Sequence, residues 1–392
     1  MKVNQIATIM NDTFNEVIGE SAIIAEDLSN LVEVGRQITS TSTFGDNINK
    51  YTKTIWDKVG ETLYNNVEYQ GNGYNIYSTN AEYGSVLEKI RIVADDFEDN
   101  EAWNFTVDEG STHDDMFGYH PANVKAKYWD SIVTFRTKPV TVTEKQLRSA
   151  FNSQNEMSRF IGMLETAYIS KVRLAMGQLT RKLVNGLIAE KFNAETTDNK
   201  LSVINLRADY NTNFNKNLTA SNCLADADFL KYVGSEIKKY IDFLTAPTML
   251  YNNDGFVNFT NRDDIHVIMI SDLKRNLETY LYSDTYNKED VELDIPIEIT
   301  PYWQGSGTSN SLVDRSTINV KVPSDNTKTV NETGIMCVIF DKRACMINAK
   351  KLETGVSVNN FDNWQNYIWK QECGCFIDAG ENCVVFTIKD TE

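Results

Sequence analysis

The sequence is poor in the residue types that carry chemistry. It has three histidines and six cysteines in 392 residues. Cysteines at that density are no disulfide framework, and a reducing cytoplasm would keep them as thiols. Cys373-Gly374-Cys375 is not a CxxC pair, and the second pair a zinc site needs is missing. Cys337, Cys345 and Cys383 lie in apolar surroundings and read as small hydrophobes. No apolar run approaches the roughly 20 residues of a membrane helix. The N-terminal stretch MKVNQIATIMNDTFNEV has no signal-peptide profile, so synthesis in a cytoplasm is expected. Positive charge is also short: 38 basic against 55 acidic side chains give a net charge of -17. That balance argues against a dedicated nucleic-acid binder, which would carry a basic stripe.

Catalytic signatures are missing as well. There is no phosphate loop, dinucleotide fingerprint, nucleophile elbow or kinase set. Gly71-Asn72-Gly73 lacks the strand, the third glycine and the helix of a nucleotide motif. His113, Asp114, Asp115 and His120 fall together in HDDMFGYH, but their spacing matches no defined metal pattern. His266, in DDIHVIMIS, reads as a satisfied strand residue. Acidic clusters occur at Asp95-Asp96 with Glu98 and Asp99, at Asp263-Asp264, and at Asp290 with Glu292 and Asp294. A hydrolase would need two of these carboxylates in one cleft, whereas charge runs usually form solvated faces. No cofactor or metal is expected.

What the sequence does have is architecture. Hydrophobic residues make up 41% and aromatics 11%, enough for a packed interior in more than one lobe. Residues 1–80 read as irregular, with short helical pieces such as YTKTIWDKVGETL. Residues 86–142 form a two-legged excursion, strands VLEKIRIVADDF and KYWDSIVTFRTKPVTV around a polar stretch with scattered aromatics. So wide a hairpin cannot bury itself against its own domain, and long loops of this kind exist to touch something else. Thr143 with Gln146, and Ser153 with Glu156, make capping boxes. A stripe from Met157 through Tyr168, Val172, Leu179, Leu183 and Leu187 then predicts a helix over 153–192, on the order of 55 Å long. After a polar loop, ADADFLKYVGSEIKKYIDFL predicts a helix with Phe229, Val233, Ile237, Ile241 and Leu244 inward. DDIHVIMIS, SDLKRNLETYL, IPIEITPYW and TGIMCVIFDKRACMI continue as strand, helix, strand, strand, an α/β lobe interrupted by a polar insertion at 303–334. The chain closes with strand NYIWKQECGCFI, turn DAGEN and strand CVVFTI.

That order resembles the major capsid proteins of tailed bacteriophages, the Hong Kong 97 fold. The stretch VIFDKRACMINAKKLETGVSVNNFDNWQNYIWKQECGCFIDAGENCVVFTI is similar to the capsid proteins of small short-tailed phages, as is DDIHVIMISDLKRNLETYL followed by IPIEITPYW. VEVGRQIT with YTKTIWDKVG resembles their arm. The resemblance implies an α+β fold with an N-terminal arm at 1–80 and an extended loop at 86–142. A spine helix and peripheral domain would take 153–223, an axial domain 224–348, and returning peripheral strands 349–392. It implies loop contacts with a neighbouring subunit through Trp103, Phe105, Phe117, Tyr119, Lys125 and Lys127. Tyr168, Val172, Leu179 and Leu183 would pack the spine helix. Trp364, with Tyr367 and Trp369 on the opposite face, would pack on that helix or meet a neighbour.

In this reading the protein is not an enzyme. It is a shell subunit forming hexamers and pentamers of an icosahedral head around DNA, assembled in the host cytoplasm. No C-terminal immunoglobulin-like domain and no long helical propeptide are seen, so scaffolding and portal would be separate proteins. The acidic balance implies weak contact with packaged DNA. The alternatives are a nanocompartment shell of the same fold and a carboxylate-dependent hydrolase.

Overall fold

The computed structural model describes residues 7–13, 24–34, 54, 74, 76–80, 87–93, 123–129, 132–136, 139–143, 145–146, 154–198, 201–284, 295–305, 307–349, 353–359 and 364–390. Its longest element is α1, Gln154–Asp198, 45 residues and so about 67 Å. It begins one residue after the expected start and runs six residues past Phe192. Ala194 is still buried there, and neither glycine nor proline interrupts the turn. The Thr143–Gln146 capping box forms, each backbone N–H donating to the other's side chain at 3.0 and 3.3 Å; Ser153 lies outside the described residues. From Leu183 to Phe192 every α1 residue is buried. A helix covered all round is enclosed by other elements.

The first sheet is built on β14, Trp364–Ile377. One edge pairs antiparallel with β12, Cys345–Ala349, and then with β13, Glu353–Asn359. The other pairs with β4, Ile132–Arg136, and β5, Val140–Thr143. β1, Tyr77–Asn80, adds parallel outside β12. Burial alternates along β14 from Trp364 to Cys373, as it must where one face meets a core and the other is partly open. Cys373 Sγ lies 3.7 Å from Met176 Sδ, which sets this sheet on α1. The expected second leg of the hairpin therefore divides. Only β2, Leu87–Val93, and β3, Asn123–Trp129, pair with each other, and β4 and β5 lie on β14 instead. Towards the N-terminus, residues 7–13 are helical and Ile9, Met10, Leu28 and Leu31 are buried. Asn11 closes that stretch by accepting from Ile24 N at 2.7 Å and donating to Ile24 O at 3.0 Å.

The second sheet has the order β6–β15–β11–β7–β8. Its strands are Val203–Asn205, Cys383–Thr387, Ile335–Asp341, Ile265–Ile270 and Ile297–Thr300. β7, β11 and β15 are buried at every position, so both faces are covered. Around it stand α2 (Leu206–Phe214), α3 (Ala227–Thr245) and α4 (Ser271–Asp284). The five residues expected to face inward on α3 are all buried, and Asp226 caps the helix by accepting from Phe229 N at 2.8 Å. β15 departs from the sequence reading, which kept it with β14 among the strands of 349–392. The turn after β14 carries it into the second sheet, because a strand apolar on both faces belongs inside a covered sheet.

The described residues of the polar tract 303–334 are anchored to the body at a few points. They hold a short helix, Leu312–Arg315, and a hairpin of β9, Ile318–Lys321, with β10, Thr329–Glu332, packed on α1. Glu190 of α1 accepts from Ser324 N and Ser324 Oγ at 2.5 and 2.8 Å. Trp303 is fully buried and donates from Nε1 to Ile335 O at 2.8 Å. Gly334, between β10 and β11, has φ +76°, and a Cβ there would lie 3.2 Å from Lys389 N. Gly334→Ala is therefore expected to cost about 1–2 kcal/mol through left-handed backbone strain, read as a lower urea midpoint. An unchanged midpoint would show that the turn relaxes freely.

Candidate functional site

The β2–β3 ribbon pairs with no other strand among the described residues. Its register sets Lys89 opposite Lys127 and Arg91 opposite Lys125. Like charges directly opposed destabilise an antiparallel pair, so the inner pair needs carboxylates, and the body supplies them. Lys89 binds Asp378 and Glu381; Lys127 binds Asp254, and Asp378 Oδ1 at 2.9 Å. Beside them Trp129 donates from Nε1 to Ile377 O at 3.0 Å and meets Phe376 edge to face at 6.5 Å.

The carboxylates are fixed from behind. Gly380 N donates to Asp378 Oδ1 at 3.0 Å, and Asn258 Nδ2 donates to Glu381 Oε2 at 2.8 Å. A Cβ on Gly380 would meet the Asp254 carboxylate and the Lys127 amine, so a larger residue there would displace this ion pair. Beneath it, Lys191 of α1 is fully buried. Its amine shares three N–H donors among four acceptors, Tyr251 O (3.0 Å), Asn253 Oδ1 (3.1 Å), Ala379 O (2.9 Å) and Glu381 O (3.2 Å). Burial pushes this amine down to about 8. Burial alone would raise Asp378, but Lys89 and Lys127 outweigh it and hold the acid below its usual value. Burial would lower Lys127, and its bonds to Asp254 and Asp378 raise it instead. The arrangement ties the hairpin root, α1, the loop after α3 and the β14–β15 turn together with three amines and three carboxylates.

All six cysteines are free and buried, with thiols raised by that burial. His266 Nε2 meets Glu298 Oε2 at 2.7 Å across β7 and β8. Among the described residues no group of three His, Cys, Asp or Glu is placed to hold a metal, and no helix is long and apolar enough to cross a membrane. His113, His120 and the acidic clusters at 95–99 and 290–294 lie outside the described residues.

The other residues singled out from the sequence fall as follows. Trp103, Phe105, Phe117 and Tyr119 lie outside the described residues. Lys125 stands on β3 opposite Arg91, and Lys127 is in the ion cluster. Tyr168 is on α1, its side chain outside the described set, while Val172, Leu179 and Leu183 are buried. Tyr367 and Trp369 are fully buried on one face of β14, and Trp364 is half-buried on the other. Sequence reasoning missed Lys89, Lys191, Asp254, Asp378 and Glu381. A signal was there for the first: KIR on one leg and KAK on the other place cations at every second position of paired strands.

A family profile described as Phi29-like phage major capsid protein matches residues 3–387. No curated protein sequence matches the chain. Among solved structures, a chain from the capsid of Staphylococcus phage Andhra is 10% identical over 82% of this chain and 85% of its own, with TM-score 0.49. A chain from the structure of the head fiber and inner core protein of bacteriophage P68 is 10% identical over 80% and 83%, with TM-score 0.48. A chain from the capsid of cyanophage P-SCSP1u is 9% identical over 82% and 88%, with TM-score 0.40.

Proposed function

The chain belongs to the Phi29-like phage major capsid protein family, and on that premise we propose how it builds its shell. It is a structural subunit of the virion capsid, with the α+β, Hong Kong 97-like order of hairpin, long helix and sheet lobe. The hairpin is the contact arm. Ala126 and Tyr128 lie on the face opposite the lysines and are exposed, Tyr128 by 64%. A two-stranded ribbon is marginal in water without a surface to lie on. That ribbon, rooted in the body yet outside both sheets, is the observation that carries the reading. A neighbouring copy supplies the missing surface, and Trp103, Phe105, Phe117, Tyr119 and Lys125 are the proposed contacts.

Copies related by such head-to-tail contacts close into hexamers and pentamers of an icosahedral head. Assembly occurs in the host cytoplasm with a separate scaffolding protein and a portal. The inner surface touches DNA weakly, in keeping with the net charge of -17. No catalytic step is involved. The nanocompartment and hydrolase alternatives have no support among the relatives.

Electron microscopy of the purified chain, beside size-exclusion chromatography, tests this. Shells, tubes or isolated rings are expected. Excising 94–122 and joining β2 to β3 by a tight turn should leave the thermal transition nearly in place. It should cut shell yield at least about tenfold, since 1.4 kcal/mol per contact is already a factor of ten. A small oligomer that never assembles with scaffold present would sink the proposal.

A further inference from the structure

The two facing lysines at the hairpin root are not explained by the ribbon itself. Lys89 and Lys127 would repel across it, yet each is paired with carboxylates of the body. Those carboxylates cannot follow the ribbon if it swings. The side chains of Asp378 and Glu381 are 6% and 2% exposed and held by Gly380 N and Asn258 Nδ2. Their turn is pinned from below by the Lys191 amine. The amines of Lys89 and Lys127 belong to side chains about a third exposed (32% and 35%), so water reaches this pairing without the core opening.

Because Asp378 and Glu381 are buried, these pairs contribute to stability as well as to aim: losing the amines leaves buried carboxylates unpaired. They also fix a direction. Six steps along β2 span about 20 Å, so a tilt of about 10° at the root moves the far end by about 3.5 Å. That exceeds the tolerance of any hydrogen bond made there.

We propose that the cluster of Lys89, Lys127, Asp254, Asp378 and Glu381, backed by Lys191, is a positioning device that sets the angle at which the hairpin leaves the body and so selects one closed shell over other assemblies. This rests on the shell reading and adds to it the residues that aim the contact arm. Lys89 and Lys127 are positioning residues; they need not touch the neighbour.

The test separates aim from stability and from assembly. Spin labels go on Ala126→Cys of the hairpin and Lys216→Cys of the body, both exposed positions; the six native thiols are buried and should not label. In the full chain a single narrow distance is expected. Lys89→Gln with Lys127→Gln should broaden or shift it; the variant also leaves the buried Asp378 and Glu381 carboxylates without these cations, so its thermal transition falls as well and the distances are read well below that transition. The same variant should give tubes, open sheets or shells of mixed diameter instead of uniform ones. Lys127→Arg, which keeps the charge, should restore both readouts. Unchanged distances in the double variant would overturn the proposal, and so would altered distances with uniform shells at full yield. If the unmodified chain forms no shell even with scaffold, the shell reading fails, while the label distances still decide whether the cluster aims the hairpin.

Discussion

Raising the pH from 8 to 10 is expected to remove on the order of 5 kcal/mol from the stability of the folded chain, an effect of its buried thiols. All six cysteines are buried and free. Burial raises Cys223 and Cys375 to about 11 and Cys373 and Cys383 to about 12 from an ordinary 9.0, and raises Cys337 and Cys345 as well. A thiol whose folded value is raised contributes stability that is complete below 9.0. It is lost as pH climbs towards the folded value, because the unfolded chain releases a proton that the folded chain keeps. Each thiol then loses about 1.4 kcal/mol per pH unit. Lys191 works against this: held at about 8 instead of 10.5, its burial cost is full below pH 8 and fades by pH 10.5. One amine offsets about 2 kcal/mol of the loss by pH 10, and six thiols outweigh it. Urea titrations at pH 7, 8, 9 and 10 would read the net loss directly. Replacing Cys345 and Cys383 with alanine should flatten the profile by two thiols' share. A flat profile in the unmodified chain would mean that the thiols meet water in the folded state.

Cys337, Cys345 and Cys383 were legible from the sequence as packing residues, because each sits in an apolar run and burial follows from that; Cys223, in the polar stretch ASNCLAD, carried no such signal. The α3 face was legible for a related reason: Phe229, Val233, Ile237, Ile241 and Leu244 repeat at helical spacing, and each is buried. Local periodicity fixes which face of an element turns inward. It says little about which sheet receives a strand. β15 was kept with β14 although their burial patterns differ, one complete and one alternating. The tract 303–334 looked polar because its anchors are few and far apart in sequence. Trp303 reaches Ile335, and Ser324 reaches Glu190 across 134 positions. The ion cluster was hidden most completely. Lys89 meets Asp378 and Glu381 across 289 and 292 positions, and no local pattern couples them. Only the facing lysines hinted that something beyond the hairpin had to neutralise it.

Lys191→Met is expected to cost about 3 kcal/mol at pH 7, the largest effect of any single substitution at the hairpin root. Two opposing effects decide the sign. Removing a buried ammonium recovers its burial cost, on the order of 3 kcal/mol for an amine held at about 8 instead of 10.5. Against that, the ammonium's three N–H donors, shared among four oxygens, lose their charge-assisted hydrogen bonds, each contributing about 1.5–3 kcal/mol. Two of the oxygens keep another donor, since Cys383 N reaches Tyr251 O and Asn253 N reaches Ala379 O, each at 3.1 Å. Asn253 Oδ1 and Glu381 O lose the Lys191 donor, and an unmet buried acceptor costs about 1–3 kcal/mol. The lost bonds outweigh the recovered burial. The turn that carries Asp378 and Glu381 also loses its floor, so the hairpin should loosen with it. The pH dependence separates this account from simple misfit of a methionine. The unmodified chain sheds its ammonium cost as pH rises from 8 to 10.5, and the variant has none to shed. The stability gap between them should therefore widen by about 2 kcal/mol between pH 7 and 9.5. Urea midpoints at those two pH values measure it. A gap that stays constant would rule out a buried ammonium at this position, and no gap at pH 7 would mean that water satisfies the oxygens Lys191 leaves behind.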